Sequence, residues 1–354
     1  MMGQQWNLSV QYRLNNSTTA QLGYVGEHGT HLLSFADAQQ NQLVTASGAV
    51  AHPGQVGTVI PTGYLGGNAV LKTGYAGWTD SNANQSYNAL QAVLNKRMGG
   101  GLEGQLAYTY SKCITDSTGF FGTGTWGAGN GSQVPLILPG PQNIYDQRAE
   151  RGPCYWDQTH IFSSYVTYAL PIGHGKKIGN NLNSVVNAVV GNWELGNIAT
   201  FHSGNAVTPI IGGFRDPSGT GGAGGLFDVF RPNCSGAPSY PQKTVNATGG
   251  NPGFIQWWDP STFSLPANNS FGTCSNGVLR GPRYADVDLS VHKDFPITEG
   301  KRLEFRSEFI NLFNHPILNF APGTGSFSLN STQFGQINSS QGERNIQFGL
   351  KFYY

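Results

Sequence analysis

The sequence contains little charge and no long hydrophobic run. Charged residues make up 11% of its 354 positions, whereas soluble domains usually contain about 25%. No apolar run approaches the roughly 18–20 residues that a membrane-spanning helix requires, and the hydrophobic fraction is only 38%. The composition therefore excludes a helical membrane protein. Because the net charge is +1 and no basic stripe is visible, we also expect no nucleic acid partner.

An export signal is absent as well. Residues 1–12 contain no basic region followed by an apolar core and a small-residue cleavage site, which is the pattern of a secretory signal peptide. Taken alone, this absence argues against export. It also fits a chain that belongs to a longer precursor, and the number of predicted strands favours this second interpretation.

The sequence is rich in glycine, neutral polar residues and aromatic residues. It has 50 glycines, and aromatic residues make up 12% of the chain. This mixture is typical of many strands joined by long polar loops. In a membrane barrel one face of each strand meets lipid and the other meets water, which keeps the mean hydropathy low. Here the mean hydropathy is −0.28, as that arrangement requires.

Residues 344–354 show the clearest alternation. Ile346, Phe348, Leu350, Phe352 and Tyr354 occupy every second position, and mostly polar residues lie between them. A period of two places the two sets on opposite faces of one strand. A tilted strand of roughly 9–11 residues is also long enough to cross a bilayer. Since a soluble sheet protein can end in such a strand too, the rest of the chain has to decide.

Similar alternation predicts nine strands, at residues 5–14, 18–24, 87–97, 102–110, 159–170, 192–203, 285–295, 301–313 and 344–354. The connections between them alternate in length. The long ones are residues 26–86, 112–157, 204–284 and 314–343, and one of medium length, 171–190, contains a short helix or strand at 182–190. Outer-membrane barrels have short periplasmic turns and longer extracellular loops. We therefore predict an all-β, antiparallel transmembrane β-barrel in the bacterial outer membrane, with Tyr354 on the periplasmic side.

The predicted number of strands is odd. Bacterial single-chain barrels close with an even number of antiparallel strands, and unpaired strand edges are not tolerated in the hydrocarbon layer. Either a tenth strand has escaped detection or the protein continues upstream of Met1. We favour the second interpretation, in which this chain is the C-terminal portion of a larger barrel.

Six short blocks resemble a known family. They are residues 87–91 (Tyr-Asn-Ala-Leu-Gln), 108–112 (Tyr-Thr-Tyr-Ser-Lys), 148–153 (Arg-Ala-Glu-Arg-Gly-Pro), 279–282 (Leu-Arg-Gly-Pro), 294–298 (Asp-Phe-Pro-Ile-Thr) and 309–316 (Phe-Ile-Asn-Leu-Phe-Asn-His-Pro). In this order they resemble the Oar-like TonB-dependent outer-membrane receptors. That family is abundant in acidobacteria and usually carries an N-terminal carboxypeptidase-regulatory-like domain. The resemblance extends from about Leu22 to Tyr354.

The resemblance implies that residues 1–354 are the C-terminal part of a barrel of about 22 strands, the size of outer-membrane transporters. In the complete family a plug fills the lumen, and a motif before the plug engages TonB in the periplasm. Neither segment is in this sequence, so we expect TonB as a partner only through the missing N-terminal region. The terminal strand resembles the signal that the barrel assembly machinery reads, which corresponds here to Phe348, Leu350, Phe352 and Tyr354.

The four cysteines suit an oxidising compartment. In the predicted topology Cys113 and Cys154 share one loop, and Cys234 and Cys274 share another. Four cysteines allow three pairings, and the shared loops select Cys113–Cys154 and Cys234–Cys274. A zinc site is the alternative, but no Cys-x-x-Cys spacing or adjacent histidine pair favours it. We expect no metal and no cofactor.

Two groups of polar residues could be mistaken for functional sites. Arg302, Glu304, Arg306 and Glu308, with Asp286, Asp288 and His292 on the preceding strand, are interpreted as charges that face the lumen and pair across strands. We therefore predict no catalytic residues and no enzyme. His28 and His31 are interpreted as part of a turn where a strand leaves the membrane, rather than as metal ligands.

Trp257 and Trp258 lie in the longest predicted loop. An exposed tryptophan pair can stack on a sugar or peptide ligand, but it can equally anchor the packing of its own loop. Both interpretations stay open. Lys293 interrupts an apolar strand face at the predicted periplasmic end, where its long stem can reach the membrane interface.

The leading functional hypothesis is a receptor or transporter barrel in contact with outer-membrane lipid. Its outer loops would bind an unknown small ligand (an oligosaccharide, a peptide or a chelate) for TonB-dependent uptake by the complete protein. One alternative is a structural or surface-binding remnant without transport. The other is a secreted, soluble β-sandwich that binds carbohydrate.

Overall fold

The computed structural model describes residues 2–62, 77–117, 140–213, 215–222, 230–246, 253–320 and 325–354. Within these ranges, nine long strands form one antiparallel sheet. The strands are β1 (Met2–Asn15), β2 (Thr18–Asp37), β3 (Gly77–Gly99), β4 (Leu102–Thr115), β5 (His160–Ala169), β6 (Trp193–His202), β7 (Tyr284–Thr298), β8 (Lys301–Ile310) and β9 (Asn345–Tyr353). The predicted all-β, antiparallel fold is therefore confirmed.

The sheet is a simple meander. Each strand pairs with its neighbours along the chain, from β1 at one edge to β9 at the other, and the two-residue strand Gly152–Pro153 extends the pairing of β4. Among the described residues, β1 and β9 each have a partner strand on one side only. In the medium connection the ambiguous segment is a helix, α1 (Ser184–Val190). Neither α1 nor any other described helix is long and apolar enough to cross a membrane.

Two strands are much longer than predicted. β2 continues to Asp37 and β3 begins at Gly77, so the prediction that residues 26–86 form a loop is wrong at both ends. The register shifts between Gly29 and Leu32, and His31 has a φ of +55°. Such a bulge changes which residues lie on each face, and for this reason the alternation that reveals the first half of β2 does not continue.

The strand register places most of the large apolar residues of the nine strands on one face, called here the apolar face. Leu8 lies opposite Tyr24, Tyr24 opposite Leu90, and Leu90 opposite Tyr110. At the other edge Phe305 lies opposite Leu350. These side chains are not covered by protein: Leu8 is 70% exposed and Phe348 is 72% exposed. A sheet in water would not leave so large an apolar surface uncovered, whereas a strand surface that contacts lipid would.

The opposite face, called here the polar face, carries most of the charge. Between the short turns and the bulge in β2, every Asp and Glu of the nine strands lies on it: Glu27, Glu103, Glu194, Asp286, Asp288, Asp294, Glu304 and Glu308. The alternation of the two faces is what a barrel with lipid outside and water inside requires.

The long connections all leave the sheet at the same end. At the other end, β1–β2, β3–β4 and β7–β8 are joined by two-residue turns, and the connection of residues 170–192 contains α1. Gly101 has a φ of +85°, and a Cβ atom there would lie 2.5 Å from the Ala169 carbonyl oxygen, so this turn requires glycine. Residues 38–76, 116–159, 203–283 and 311–344 form the connections at the long-loop rim.

The hydrophobic cores of the protein lie in these long connections, not under the sheet. One core contains Val207, Trp257, Trp258, Phe263, Cys274, Leu279, Phe320, Phe334 and Ile337. A second contains Leu43, Ala51, Ile211, Phe230 and Phe271. The residues of the four long connections that the structure describes are called here the loop assembly.

The loop assembly is reinforced by short strand pairs. The strand Gln42–Val44 pairs with Thr58–Ile60, Ala206–Val207 with Leu279–Arg280, and Asn233–Cys234 with Phe263–Ser264. Phe254–Gln256 lies between Lys243–Val245 and Gln336–Ile337, and Ile317–Asn319 pairs with Ser339–Gln341. Two single 3-10 turns, Gln147–Glu150 and Pro260–Thr262, complete it.

Candidate functional site

The loop assembly is held together by a buried ion pair between two different loops. The Glu150 carboxylate accepts hydrogen bonds from both terminal nitrogens of Arg231, with Nη2 at 3.1 Å from Oε1. Both side chains are almost completely buried, with 1% of Arg231 and 0% of Glu150 exposed. Asn276 and the Gln142 backbone N–H also donate to this carboxylate. Four donors around one buried carboxylate offset much of its desolvation cost.

A second ion pair joins the β4–β5 connection to the β6–β7 connection. Arg280 donates from Nη2 to Asp157 Oδ2 at 2.6 Å and from Nη1 to the Asp157 carbonyl oxygen at 2.7 Å. The other carboxylate oxygen of Asp157 accepts from the Cys113 backbone N–H at 2.7 Å. Asp157 therefore connects the end of β4 to a loop that lies far away in the sequence.

The first long connection joins the same assembly through Gln40. Its amide nitrogen donates to the Gln142 carbonyl oxygen at 2.7 Å, and its amide oxygen accepts from the Ile144 backbone N–H at 2.9 Å. The Gln142 side chain in turn donates to the Gly272 carbonyl oxygen at 3.0 Å. Both glutamine side chains are completely buried. They link three of the four long connections.

Both disulfides have the predicted pairing. Cys113–Cys154 has a Cα–Cα distance of 5.4 Å, and Cys234–Cys274 has one of 4.9 Å. The first lies beside Asp157, because the Asp157 backbone N–H donates to the Cys154 carbonyl oxygen. The second lies beside the first core, where Cys274 is buried. The carbonyl oxygen of Cys274 also accepts from Arg231 Nε at 2.8 Å.

The two adjacent tryptophans are core residues, and the exposed-pair interpretation has to be corrected. Trp258 is 0% exposed, and its ring lies within about 6 Å, centroid to centroid, of the rings of Phe320, Phe327 and Phe334. Trp257 is 8% exposed and donates from Nε1 to the Arg280 carbonyl oxygen at 2.8 Å. Since both rings are buried, the pair packs its own loop and offers no open ring face to a ligand.

A tyrosine lies at the edge of the same core. The Tyr240 hydroxyl oxygen accepts from the Arg280 backbone N–H at 2.8 Å. Burial raises the pKa of Tyr240 above its ordinary value of 10.0, although this hydrogen bond and the Arg280 guanidinium act in the opposite direction. The hydroxyl is therefore neutral at physiological pH and serves to position Arg280.

The charged residues of β7 and β8 lie on the polar face, where the sequence placed them. Arg302 lies 3.4 Å from Asp294 on the neighbouring strand. Glu304 pairs with Arg306 on its own strand, and its other oxygen accepts from the Tyr353 hydroxyl at 3.0 Å. The pairing is therefore partly diagonal and partly along one strand. Above this group lies a cavity of about 520 Å³ lined also by Lys176, Glu194 and His292.

His28 and His31 lie within β2 and not in a turn at the end of a strand, so that prediction is wrong. His31 forms the bulge, and no group of residues in the described part of the chain has the arrangement of a metal site. Lys293 lies on the apolar face near the short turns. Its ammonium donates to the Gly191 carbonyl oxygen and lies over the rings of Trp193 and Phe295, at 4.8 and 4.9 Å from their centroids.

Sequence reasoning missed most of the polar residues that join the loops: Gln40, Gln142, Asp157 and Arg231. No spacing or periodicity marks them. The one available signal is the low charge of the chain, which makes each charged loop residue noteworthy. Glu150 and Arg280, however, lie in two of the blocks that resemble the known family, residues 148–153 and 279–282. Those blocks therefore contain residues that form ion pairs between loops.

Comparison with known proteins agrees with this architecture. A family model described as an outer membrane beta barrel domain matches residues 2–347. Because this match spans nearly the whole chain, the chain belongs to that family, and the protein is located in the outer membrane. Its apolar face is therefore the face that contacts lipid.

The outer membrane transporter YddB from Escherichia coli is among the solved structures that are similar to the chain. The two chains are 7% identical with a TM-score of 0.43, and the alignment covers 99% of this chain but 32% of the transporter. No curated protein matches the chain significantly.

Proposed function

We propose that this chain is the barrel portion of a TonB-dependent receptor of the Oar-like type. The loop assembly would bind a small ligand outside the cell (an oligosaccharide, a peptide or a chelate), and the complete protein would import it without altering it. One observation carries the proposal. All four long connections leave the sheet at one rim and fold onto one another into a single assembly with its own cores and ion pairs.

Disordered loops would give a membrane protein little means to select a ligand, because ordering them on binding costs conformational entropy. Here the ordering is supplied in advance by buried contacts such as Glu150–Arg231 and Gln40–Gln142. A preformed outer surface of this kind favours a receptor over a barrel that serves only as a structural element.

Some features of the polar face suggest that another segment of protein fills the lumen. In the family that the chain resembles, this segment would be the plug. Tyr165 and Ile198 lie opposite each other on this face and are about half exposed. His292 Nε2 and one carboxylate oxygen of Asp294 are buried without a hydrogen-bond partner among the described residues. Apolar surface and unsatisfied polar atoms on a lumen wall both favour contact with another segment of protein.

The proposal is tested first by the orientation of the two rims. An epitope is inserted after Gly236, an exposed turn of the longest connection, or after Gly300, the exposed turn between β7 and β8. Antibody should label intact cells only for the first insertion and should label the second only after permeabilisation. Recovery of the protein in the soluble fraction, or the reverse labelling pattern, would contradict the receptor proposal.

Ligand capture is tested next on the purified protein. Thermal stability is measured against panels of oligosaccharides, peptides and ferric chelates, because a ligand that binds the folded state raises its stability. Uptake of a ligand found in this way by cells that make the complete protein should cease when the proton gradient is collapsed. If the ligand binds but its uptake continues after the proton gradient is collapsed, TonB coupling is excluded. If no compound in the three panels binds, the structural alternative is favoured.

A further inference from the structure

Apart from tyrosines, the ionisable residues of the strands on the apolar face are all basic. Between the short turns and the bulge in β2 they are His28, Lys96, Lys112, His160 and Lys293, and Arg283 continues the same face just before β7. The acidic residues of the strands are all on the polar face over the same region. Such a distribution complements a membrane surface of negative charge.

Two of these basic groups, His160 and Arg283, converge with two further histidines at the long-loop rim. A groove of about 440 Å³ opens there on the apolar face, and its basic lining residues are His160, His202, Arg283 and His315. The Tyr108 hydroxyl lies 2.7 Å from His160 Nδ1. The side chains of Arg283 and His315 have no hydrogen-bond or ion-pair partner in the part of the chain that the structure describes. One guanidinium and one imidazole without a described partner therefore line the same groove.

The floor of this groove is aromatic. Tyr108 lies opposite Phe162, and Phe162 lies opposite Phe201, with 6.0 Å between the centroids of the two phenylalanine rings. His160 is one row closer to the long-loop rim, opposite Tyr110. The groove is thus apolar on the side toward the middle of the sheet and basic on the side toward the loops.

The apolar part continues into a second groove. This one has a volume of about 660 Å³, shares Tyr108 and Phe162 with the first, and extends over Leu22, Ala92 and Leu106. Its depth comes from the small side chain of Ala92, which lies between the larger Leu22 and Tyr108 in one row of the register. The lining of this second groove is mostly apolar, and such a surface suits an acyl chain.

We infer that the two grooves together form a binding site for a membrane lipid with an anionic phosphate headgroup. The phosphate lies between Arg283 and His315 at the long-loop rim, and one acyl chain follows Phe162 and Phe201 into the second groove. Bidentate donation from a guanidinium matches the geometry of a phosphate. The inference depends on the lipid contact of the apolar face and is independent of ligand capture by the loops.

The test measures lipid retention by native mass spectrometry. The full chain is purified in a zwitterionic detergent and incubated with phosphatidylglycerol or with phosphatidylcholine of identical acyl chains. We expect the natural chain to retain phosphatidylglycerol in preference to phosphatidylcholine. In Arg283→Gln the retention of phosphatidylglycerol should fall about fivefold, because one basic residue near an anionic surface contributes about 1 kcal/mol. Arg283→Lys keeps the charge and should restore most of the retention. Lys351→Gln, which removes a cation from the polar face, is the matched control and should not change it.

Four outcomes would overturn the inference. The first is equal retention of the two lipids. The second and third are unchanged retention in Arg283→Gln and an equal loss of retention in Arg283→Gln and Lys351→Gln. The fourth is complete displacement of the lipid by glycerol 3-phosphate, which would indicate a site for the free anion. Because the measurement needs no uptake and no loop ligand, its failure leaves the proposed receptor function unaffected.

Discussion

Removal of the Glu150 carboxylate should destabilise the loop assembly selectively. Arg231 would then remain buried with no counter-charge. The Gln142 backbone N–H would lose its acceptor, and Asn276 Nδ2 would keep only the Glu150 carbonyl oxygen. Breaking a buried, hydrogen-bonded ion pair by removing one partner typically costs about 3–5 kcal/mol. Since a whole domain is stabilised by only about 5–15 kcal/mol, we expect the assembly in Glu150→Ala to be partly unfolded under conditions where the natural chain is intact.

Two signals separate the loops from the sheet. Once the strand tryptophans Trp6, Trp78 and Trp193 are replaced by Phe in every variant, near-ultraviolet circular dichroism and tryptophan fluorescence report mainly on the loops, where Trp257 and Trp258 lie in the first core of the assembly. Heat-modifiable migration on gels and far-ultraviolet circular dichroism report on the sheet. In a denaturant titration in detergent, the midpoint of the tryptophan signal should fall in Glu150→Ala, whereas the sheet transition should stay near its original value.

The control removes an exposed ion pair. Asp294 and Arg302 are about half exposed, at 44% and 47%, and lie 3.4 Å apart. Pairs of this kind contribute about 0–1 kcal/mol, so Asp294→Asn should leave both transitions nearly unchanged. If Glu150→Ala changed the tryptophan midpoint no more than Asp294→Asn does, the argument that this buried pair holds the loops together would be refuted. The double variant Glu150→Leu with Arg231→Met should recover part of the loss, because an apolar pair leaves no buried charge.

Two further predictions concern the disulfides and Lys293. The bridges close segments of 41 and 40 residues, and the chain-entropy model gives a stabilisation of about 4 kcal/mol for each. Replacement of Cys113 and Cys154 by Ser, or reduction of both bridges with dithiothreitol, should therefore lower the melting temperature of the loop signal. An unchanged melting temperature would show that the buried contacts alone hold the loops. Lys293→Met should reduce the free energy of unfolding of the sheet by about 1–2 kcal/mol, because two cation–π contacts and the hydrogen bond to Gly191 are lost. Urea unfolding in detergent measures this loss, and Lys293→Arg should recover part of the stability.

The sequence revealed those features that a fixed period produces. In the membrane-facing part of each strand, one face has to be apolar and the other polar, so Leu8, Val10 and Tyr12 of β1 are as informative as Phe348 and Leu350 of β9. The disulfide pairing followed from the same topology. Alternation ends where lipid contact ends, so the periodicity alone assigns the first ten residues of β3 and the last part of β2 to a loop.

The loop assembly could not be predicted because its contacts have no period. Glu150 lies 81 positions from Arg231, and Gln40 lies 102 positions from Gln142. Residues so far apart in the sequence come into contact only when the loops fold. The tryptophan pair illustrates the same limit, since a Trp-Trp dipeptide in a glycine-rich segment is compatible with an exposed platform and with a core. Only the three phenylalanine rings around Trp258 decide between them.

The protein thus combines two kinds of stability in one chain. The sheet has an uncovered apolar face and depends on its hydrogen-bond ladder and on lipid, whereas the loop assembly has dry aromatic cores and buried ion pairs like those of a soluble domain. Asp157 lies where the two meet, because it accepts from the Cys113 backbone at the end of β4 and binds Arg280 of the longest connection. Any large movement of the loops relative to the sheet has to break these bonds. In the receptor function proposed above, ligand selection would therefore depend on the fixed outer surface of the loop assembly and not on a rearrangement of the contacts between its loops.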